Sequence, residues 1–358
     1  MPEVVAIALS GGVDSLVSAA LLKDQGYLPI GVHFLTGYEA LTPSESEKDS
    51  KMQRVLQAER RLAPIARQLH IPLHIFDLQS DFQRHVVDYF ISEYRNGKTP
   101  NPCLVCNPKI KFDLLLQGAQ SLGATSIATG HYARILSDAG ASRRLLCGVD
   151  GLKDQSYFLA RLTPQQLKHA VLPLGGMTKS QVRRIAAAKG LHPAVERESQ
   201  DVCFIASSGY GAFLSGQPGF EPRPGPIETV AGEVIGCHNG IHLFTIGQRK
   251  GINCPAPAPY YVVRIVPERN CIVVGFKKDL FSADCRVAQI NWIVSPPREA
   301  IHVMVKVRYR HAAVPATLIP TDAMCARIMF DSPLSAVTPG QGAVFYAGEE
   351  VLGGGWIQ

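Results

Sequence analysis

Short apolar runs alternate with amphipathic stretches through the first third of the chain. VVAIAL (4–9) gives way to LVSAALLKDQG (16–26), LPIGVHF (28–34) follows, and MQRVLQAERRLAPIARQLH (52–70) leads into IPLHIFDL (71–78). IKFDLLLQGAQSLG (110–123) and SIATGHYARIL (126–136) continue the series. Apolar runs of strand length alternating with helices predict a doubly wound α/β domain around a parallel sheet. TKSQVRRIAAAKG (178–190) reads as a helix ended by its glycine, and the domain is expected to span 1–205.

The pattern then changes. SGQPGFEPRPGP (215–226) is dense in Pro and Gly and reads as a linker or irregular edge. Beyond it GEVIG, IHLFTIG, YYVVRIV, CIVVGF, HVMVKVRYR, ARIMF and GAVFYAGEEVLGGGWI are short β-like runs parted by turn residues. They predict a small central β domain over 206–278 and a C-terminal β-barrel over 279–358. No fixed-period repeat is present.

Length and composition add bounds. With 358 residues, 46% of them apolar, the chain can build two or three cored domains. Its start has no leader-like apolar segment and no run of 18 apolar residues follows, so a soluble cytoplasmic protein is expected. Nine cysteines are few and odd in number, which fits reduced thiols. A net charge of +6 favours an anionic partner only mildly.

ALSGGVDS (8–15) falls where a buried strand ends and a helix begins, the place where main-chain N–H groups hold an anion. Gly11 and Gly12 permit a tight turn, and Ser10 and Ser15 add hydroxyls. It has neither the lysine of GxxxxGK[ST] nor the spacing of GxGxxG. A lysine-free loop with Asp14 beside the phosphates suits pyrophosphate release with Mg²⁺ on that carboxylate. The plain alternative is a helix start capped by Ser10 or Asp14.

The loop resembles that of the PP-loop ATP pyrophosphatases. TPNPCLVCNPKIKF (99–112), ATGHYAR, KDQSYFL, SQDVCFI, FTIGQRKGI and VTPGQGAVFY follow in order, and together they resemble the tRNA-specific 2-thiouridylases over essentially the whole chain. The resemblance implies an adenine nucleotide hydrolase-like domain followed by two β domains. It implies that ATP adenylates the 2-oxygen of the wobble uridine in a tRNA anticodon loop, after which sulfur displaces AMP. It also implies Cys106 as nucleophile and Cys203 as the persulfide-bearing residue, 97 residues apart. A sulfur donor follows: a persulfide carrier, a cysteine desulfurase or hydrosulfide.

The residue types suit the task. Adenylation turns a poor leaving group into AMP, and a persulfide supplies a sulfur nucleophile that a second thiol can release as a disulfide forms. Cys103 stands where the family usually has an aspartate credited with acid/base work, which a thiol does not replace near neutral pH. Asp201 is the nearest carboxylate to Cys203 in sequence. Three cysteines, Cys103, Cys106 and Cys203, could instead hold a 4Fe-4S cluster with one open iron, as related thiolases do. No second CxxC completes a zinc site. The persulfide and cluster routes both stand, as does the plain reading of CxxC as a redox pair or two packed thiols.

The match carries ATP contacts onto Ala8, Leu9, Ser10, Gly11, Gly12, Val13, Asp14, Ser15, Phe34 and Gly130. It carries tRNA contacts onto Asn101, Pro102, Lys153, Asp154, Gln155, Arg308 and Tyr309. Strand alternation in HVMVKVRYR sets Lys306, Arg308 and Arg310 on one face and turns Tyr309 inward, and a basic stripe of this kind tracks phosphates or is a solvated face. Asp154 equally suits a turn. His131 reads as a nucleotide contact or a core histidine. An adenylating ligase or amidotransferase would need no cysteines, and an RNA-binding module would need no intact loop.

Overall fold

The computed structural model describes residues 2–39, 51–137, 143–195, 202–205 and 209–358, and Asp201 lies outside them. The chain forms two compact units. The first comprises 1–86, 103–204 and 349–352, and the second 87–102, 205–348 and 353–358.

In the first unit, five strands form the predicted sheet: β1 (Val4–Ala8), β2 (Leu28–Leu35), β3 (Leu73–Asp77), β4 (Ser126–Ala128) and β7 (Ala170–Val171), in the order β3-β2-β1-β4-β7. Every neighbouring pair is parallel. β1 is central, and Val5, Ala6 and Ile7 are fully buried, which explains its unbroken apolar run. Helices α1 (Val13–Asp24) and α2 (Lys51–Leu69) set Leu16, Ala19, Leu22, Leu62 and Ile65 into the same core as Val5 and Ile7.

The chain runs outward through β2 and β3, then returns to β4 on the other side of β1. That reversal is the topological switch point, where open α/β sheets take ligands beyond the carboxyl ends of their strands. SIATGHYARIL does not continue as one strand of this sheet. Only β4 joins it, while β5 (Ala133–Ser137) pairs antiparallel with β6 (Arg143–Cys147).

The second unit holds two β assemblies. The central one is β10-β11-β8-β9, built from β8 (Gly225–Thr229), β9 (Val234–His238), β10 (Tyr261–Val266) and β11 (Cys271–Gly275). IHLFTIG, expected as a strand, is a short 3₁₀ turn at Ile241–Leu243 followed by a loop, because Gly247 takes a left-handed φ of 86°.

The other is a closed barrel in the order β12-β15-β14-β13-β16-β17, with β17 pairing back onto β12. Its strands are β12 (Phe281–Trp292), β13 (Ile301–Lys306), β14 (Val314–Asp322), β15 (Cys325–Ser335), β16 (Gly342–Ala347) and β17 (Glu350–Ile357). Inward Ala326, Ile328 and Phe330 alternate with outward Arg327 and Met329, the period of a barrel wall.

Candidate active site

The loop after β1 lies at the switch point. Gly11 has φ +91°, a conformation open to glycine, and its carbonyl accepts from the Ala194 and Val195 amides at 2.9 and 3.1 Å. Gly12, not Ser10 or Asp14, is the N-cap of α1, and among the described residues no side chain caps the helix. The first amides of α1 are thus not claimed by a capping side chain and suit an anion. Ser15 is buried and donates to the Gly12 carbonyl at 3.0 Å, and its hydroxyl accepts from the Ser10 amide at 3.3 Å, which holds the turn closed.

Gly130 follows β4, and a Cβ there would sit 2.9 Å from Asp14 Cβ and 3.0 Å from the Asp14 carbonyl carbon. Only glycine fits this close approach. Ala8, Leu9 and Val13 complete the strand, turn and helix of the loop. Half-buried Phe34, near the carboxyl end of β2, has its ring 6.5 Å from that of Phe82 and so serves the core whatever else it meets.

Asp14, expected to carry Mg²⁺, is already engaged. Lys179 Nζ lies 2.7 Å from both carboxylate oxygens, and the Tyr132 hydroxyl donates to Oδ1 at 2.7 Å. The lysine missing from the loop comes from a helix 165 residues away, a contact that sequence reading missed. A lysine at the start of a capped helix gives no signal of burial.

Cys103 and Cys106 occupy one helical turn, Cys103–Cys106, which runs straight into a wider π-helix, Asn107–Leu114. Prolines at 100, 102 and 108 read as marks of a turn-rich segment, yet the chain from Cys103 onward is helical. Pro108 lacks an N–H and its ring would crowd the carbonyl four residues back, a conflict that wider winding relieves without ending the helix. Asn107 is buried and donates to the Phe158 carbonyl at 2.9 Å, and Gln166 donates to the Pro108 carbonyl at 2.6 Å, so the turn is pinned.

Cys203 joins them despite its distance along the chain. Its neighbour Phe204 is buried, with its ring 5.7 Å from Phe82 and 5.8 Å from Tyr38. This aromatic anchor brings Cys203 within the electrostatic reach of Cys103 and Cys106. Cys106 is buried, Cys103 half-buried and Cys203 exposed. Burial pushes the Cys106 thiol up to about 12 and Cys103 to about 11, and raises Cys203 although its surface is accessible.

The Lys111 ammonium acts against that rise at all three thiols. It also bears on His131, whose ring stacks near Phe112 at 6.4 Å and whose Nδ1 lies 2.7 Å from Thr129 Oγ1. Burial holds His131 well below the usual imidazole range, so it is neutral. His131 is next to Gly130, which packs against Asp14 and so ties the thiols' surroundings to the loop after β1. Among the described residues, no three His, Cys, Asp or Glu side chains stand ready to hold a metal ion.

The residues expected to meet tRNA fall in both units. Asp154 is buried; its Oδ1 accepts from the Gly148 and Ser156 amides and its Oδ2 from the Ser156 hydroxyl, so its side chain builds a turn. Gln155 accepts from the Tyr132 amide at 3.1 Å and donates its own amide to the Tyr132 carbonyl at 2.8 Å. Half-buried Lys153 precedes them, its amide bonded to the Asp150 carbonyl at 2.9 Å.

In the second unit, Asn101 and buried Pro102 follow a segment whose Thr99 carbonyl accepts from Gln341 Nε2 at 2.8 Å. The expected alternation past β13 breaks down. The strand stops at Lys306, Arg308 donates to the Ile246 carbonyl at 2.9 Å and to Thr338 Oγ1, and Tyr309 lies in a turn with Lys306 Nζ 5.4 Å above its ring.

Comparison with known proteins gives concordant results. The family model described as tRNA methyl transferase HUP domain matches residues 3–207, and that described as tRNA methyl transferase PRC-barrel domain matches 212–276. The model described as aminomethyltransferase beta-barrel domain matches 282–357. The tRNA-specific 2-thiouridylase MnmA of Desulfosudis oleivorans is 49% identical over 354 residues, which cover 99% of this chain and 94% of that protein. Its namesake in Geotalea uraniireducens is 44% identical over 358 residues, covering 99% and 94%. That of Moorella thermoacetica is 43% identical over 355 residues, 98% of each chain.

Proposed function

The chain belongs to the tRNA-specific 2-thiouridylase MnmA family, and we propose that it is an ATP-dependent tRNA sulfurtransferase acting at C2 of the wobble uridine. The observation that carries this reading is that Cys103, Cys106 and Cys203 lie in the unit that holds the SGGVDS loop, near enough that the Lys111 charge acts on all three thiols. Adenylation alone needs no thiols.

The uracil 2-oxygen attacks the α-phosphorus of ATP, the bond to the β-phosphate oxygen breaks, and pyrophosphate leaves with the electron pair. The terminal sulfur of a persulfide on Cys203 then attacks C2 and AMP departs with its oxygen. Cys106, as thiolate, attacks Sγ of Cys203; a disulfide forms and the thiocarbonyl sulfur stays on the base. A dithiol reductant reopens that bridge. The exposed position of Cys203 suits loading by a sulfur donor, while buried Cys106 is kept for the resolving step.

Domains of 1–205, 206–278 and 279–358 remain our division, with tRNA as the anionic partner. A second reading puts a 4Fe-4S cluster on the same three cysteines, since an all-thiolate set with one open iron would bind hydrosulfide. As they stand the three do not form a metal-holding group, so no step is routed through a cluster.

The test combines purified protein, ATP, unmodified tRNA and a sulfur donor. The expected result is 2-thiouridine at the wobble position with AMP and pyrophosphate in equal amounts. Pyrophosphate without thiouridine would favour an adenylating ligase, and iron and sulfide analysis of anaerobically purified protein decides between the two sulfur routes.

A further inference from the structure

Burying a lysine is expensive, and this fold does it with care. Lys179 is 7% exposed and opens the helix Lys179–Ala188. Thr178 and Gln181 close a capping box around that helix start, and the Lys179 amide donates to Asp150 Oδ2 at 2.9 Å. The side chain then reaches Asp14 with Nζ 2.7 Å from each carboxylate oxygen, 5.8 Å from the Tyr132 ring centroid. Tyr132 is itself buried, and Gln155 clasps its backbone from both sides.

Stability gives little reason for this construction, since a well-packed apolar pair of similar volume holds a fold as well as a buried ion pair does. A fixed cation at the start of α1 has another use. Asp14 is the second residue of α1, on the helix turn whose amides the loop presents. Its side chain keeps 31% exposure while that of Lys179 has 9%, so the pair meets solvent on the carboxylate side. Mg²⁺ on Asp14 would have to displace Nζ from both oxygens, and the residues present do not fit that ion in this arrangement.

We propose that Lys179 is the phosphate-binding cation of the nucleotide site and that Asp14 and Tyr132 position it. The inference rests on the ATP reading above and names the charge that the SGGVDS loop lacks. Nζ pairs with a non-bridging oxygen of the α-phosphate, where negative charge grows as the uracil oxygen bonds to phosphorus and pyrophosphate leaves.

Affinities of the full-length protein for adenosine, AMP and ATP, each with and without Mg²⁺, test this by calorimetry. Wild type is expected to bind AMP roughly tenfold or more tighter than adenosine, the worth of one charge-assisted hydrogen bond. Lys179→Gln should lose most of that difference, the loop amides keeping the remainder, and leave adenosine affinity unchanged. Tyr132→Phe should shrink the difference and leave adenosine alone. If Lys179→Gln fails to fold, Asp14→Asn combined with Lys179→Gln removes both charges and should fold without most of the AMP preference.

A Lys179→Gln protein, or the folded double variant, that keeps the wild-type ratio of AMP to adenosine affinity would overturn the proposal. So would Asp14→Asn abolishing the effect of Mg²⁺ while Lys179→Gln leaves all affinities intact. Wild-type protein that binds no adenine nucleotide would overturn the ATP reading itself, a result separate from the variants.

Discussion

Cys106→Ser is expected to keep tRNA-stimulated pyrophosphate release and to lose 2-thiouridine formation by roughly a thousandfold or more. The two activities part because they use different atoms. On the proposed reading, adenylation would draw on the turn after β1 and on Lys179, neither of which involves the thiol. Sulfur release needs a soft nucleophile that can form a bond to Sγ of Cys203, and a hydroxyl cannot close that disulfide. The swap is nearly isosteric at a site held by Asn107 and Gln166 through other atoms, so the helical turn should survive it. Parallel assays of pyrophosphate and of digested nucleosides read both limbs on one sample. Equal loss of both would mean that Cys106 shapes the pocket, and no loss of either would remove it from the mechanism.

Alkylation of Cys103 and Cys106 should rise about tenfold per pH unit between pH 7 and 9 with no plateau, a hundredfold span overall. Cys106 pushed up to about 12 and Cys103 to about 11 are almost wholly protonated across that range, so each unit multiplies the thiolate fraction by ten. Free cysteine would level off as pH approaches its own pKa. Lys111→Met should slow the reaction further, because its charge opposes the rise at every one of the three thiols. Mass spectrometry of iodoacetamide-treated, dithiothreitol-reduced protein measures this site by site. A plateau below pH 8 at Cys106 would show a thiolate already formed.

The same shift has a sign for stability. A thiol whose folded pKa lies above its unfolded value contributes stability that is fully present below about pH 9 and lost as pH climbs toward about 12. Thiols parked in the protonated form also resist stray oxidation, which suits residues that must wait for an activated base.

The parallel sheet and the tight turn after β1 were legible because both are local signals. A buried strand reads as VVAIA, and two adjacent glycines before a helix read as a turn against a ligand. The three cysteines could be named from their motifs, but their meeting depends on Phe204 docking among Phe82 and Tyr38, an aromatic contact between distant segments. Lys179 was invisible for the same reason.

Misreadings trace to local rules overridden by context. CLVC looked like a turn because prolines flank it, yet π-winding accommodates Pro108. HVMVKVRYR looked like one strand, yet β13 ends at Lys306 and Arg308 turns to bind Ile246 and Thr338. β12 and β14 escaped notice because their outward positions carry charges and prolines that dilute the alternation.

One measurement bears most directly on sulfur delivery by converging thiols: peptide mapping, without reductant, after a single turnover on ATP and tRNA with Cys203 loaded as persulfide. A Cys106–Cys203 disulfide formed in step with each 2-thiouridine is the predicted result. Full thiouridine yield with both cysteines still reduced would contradict it.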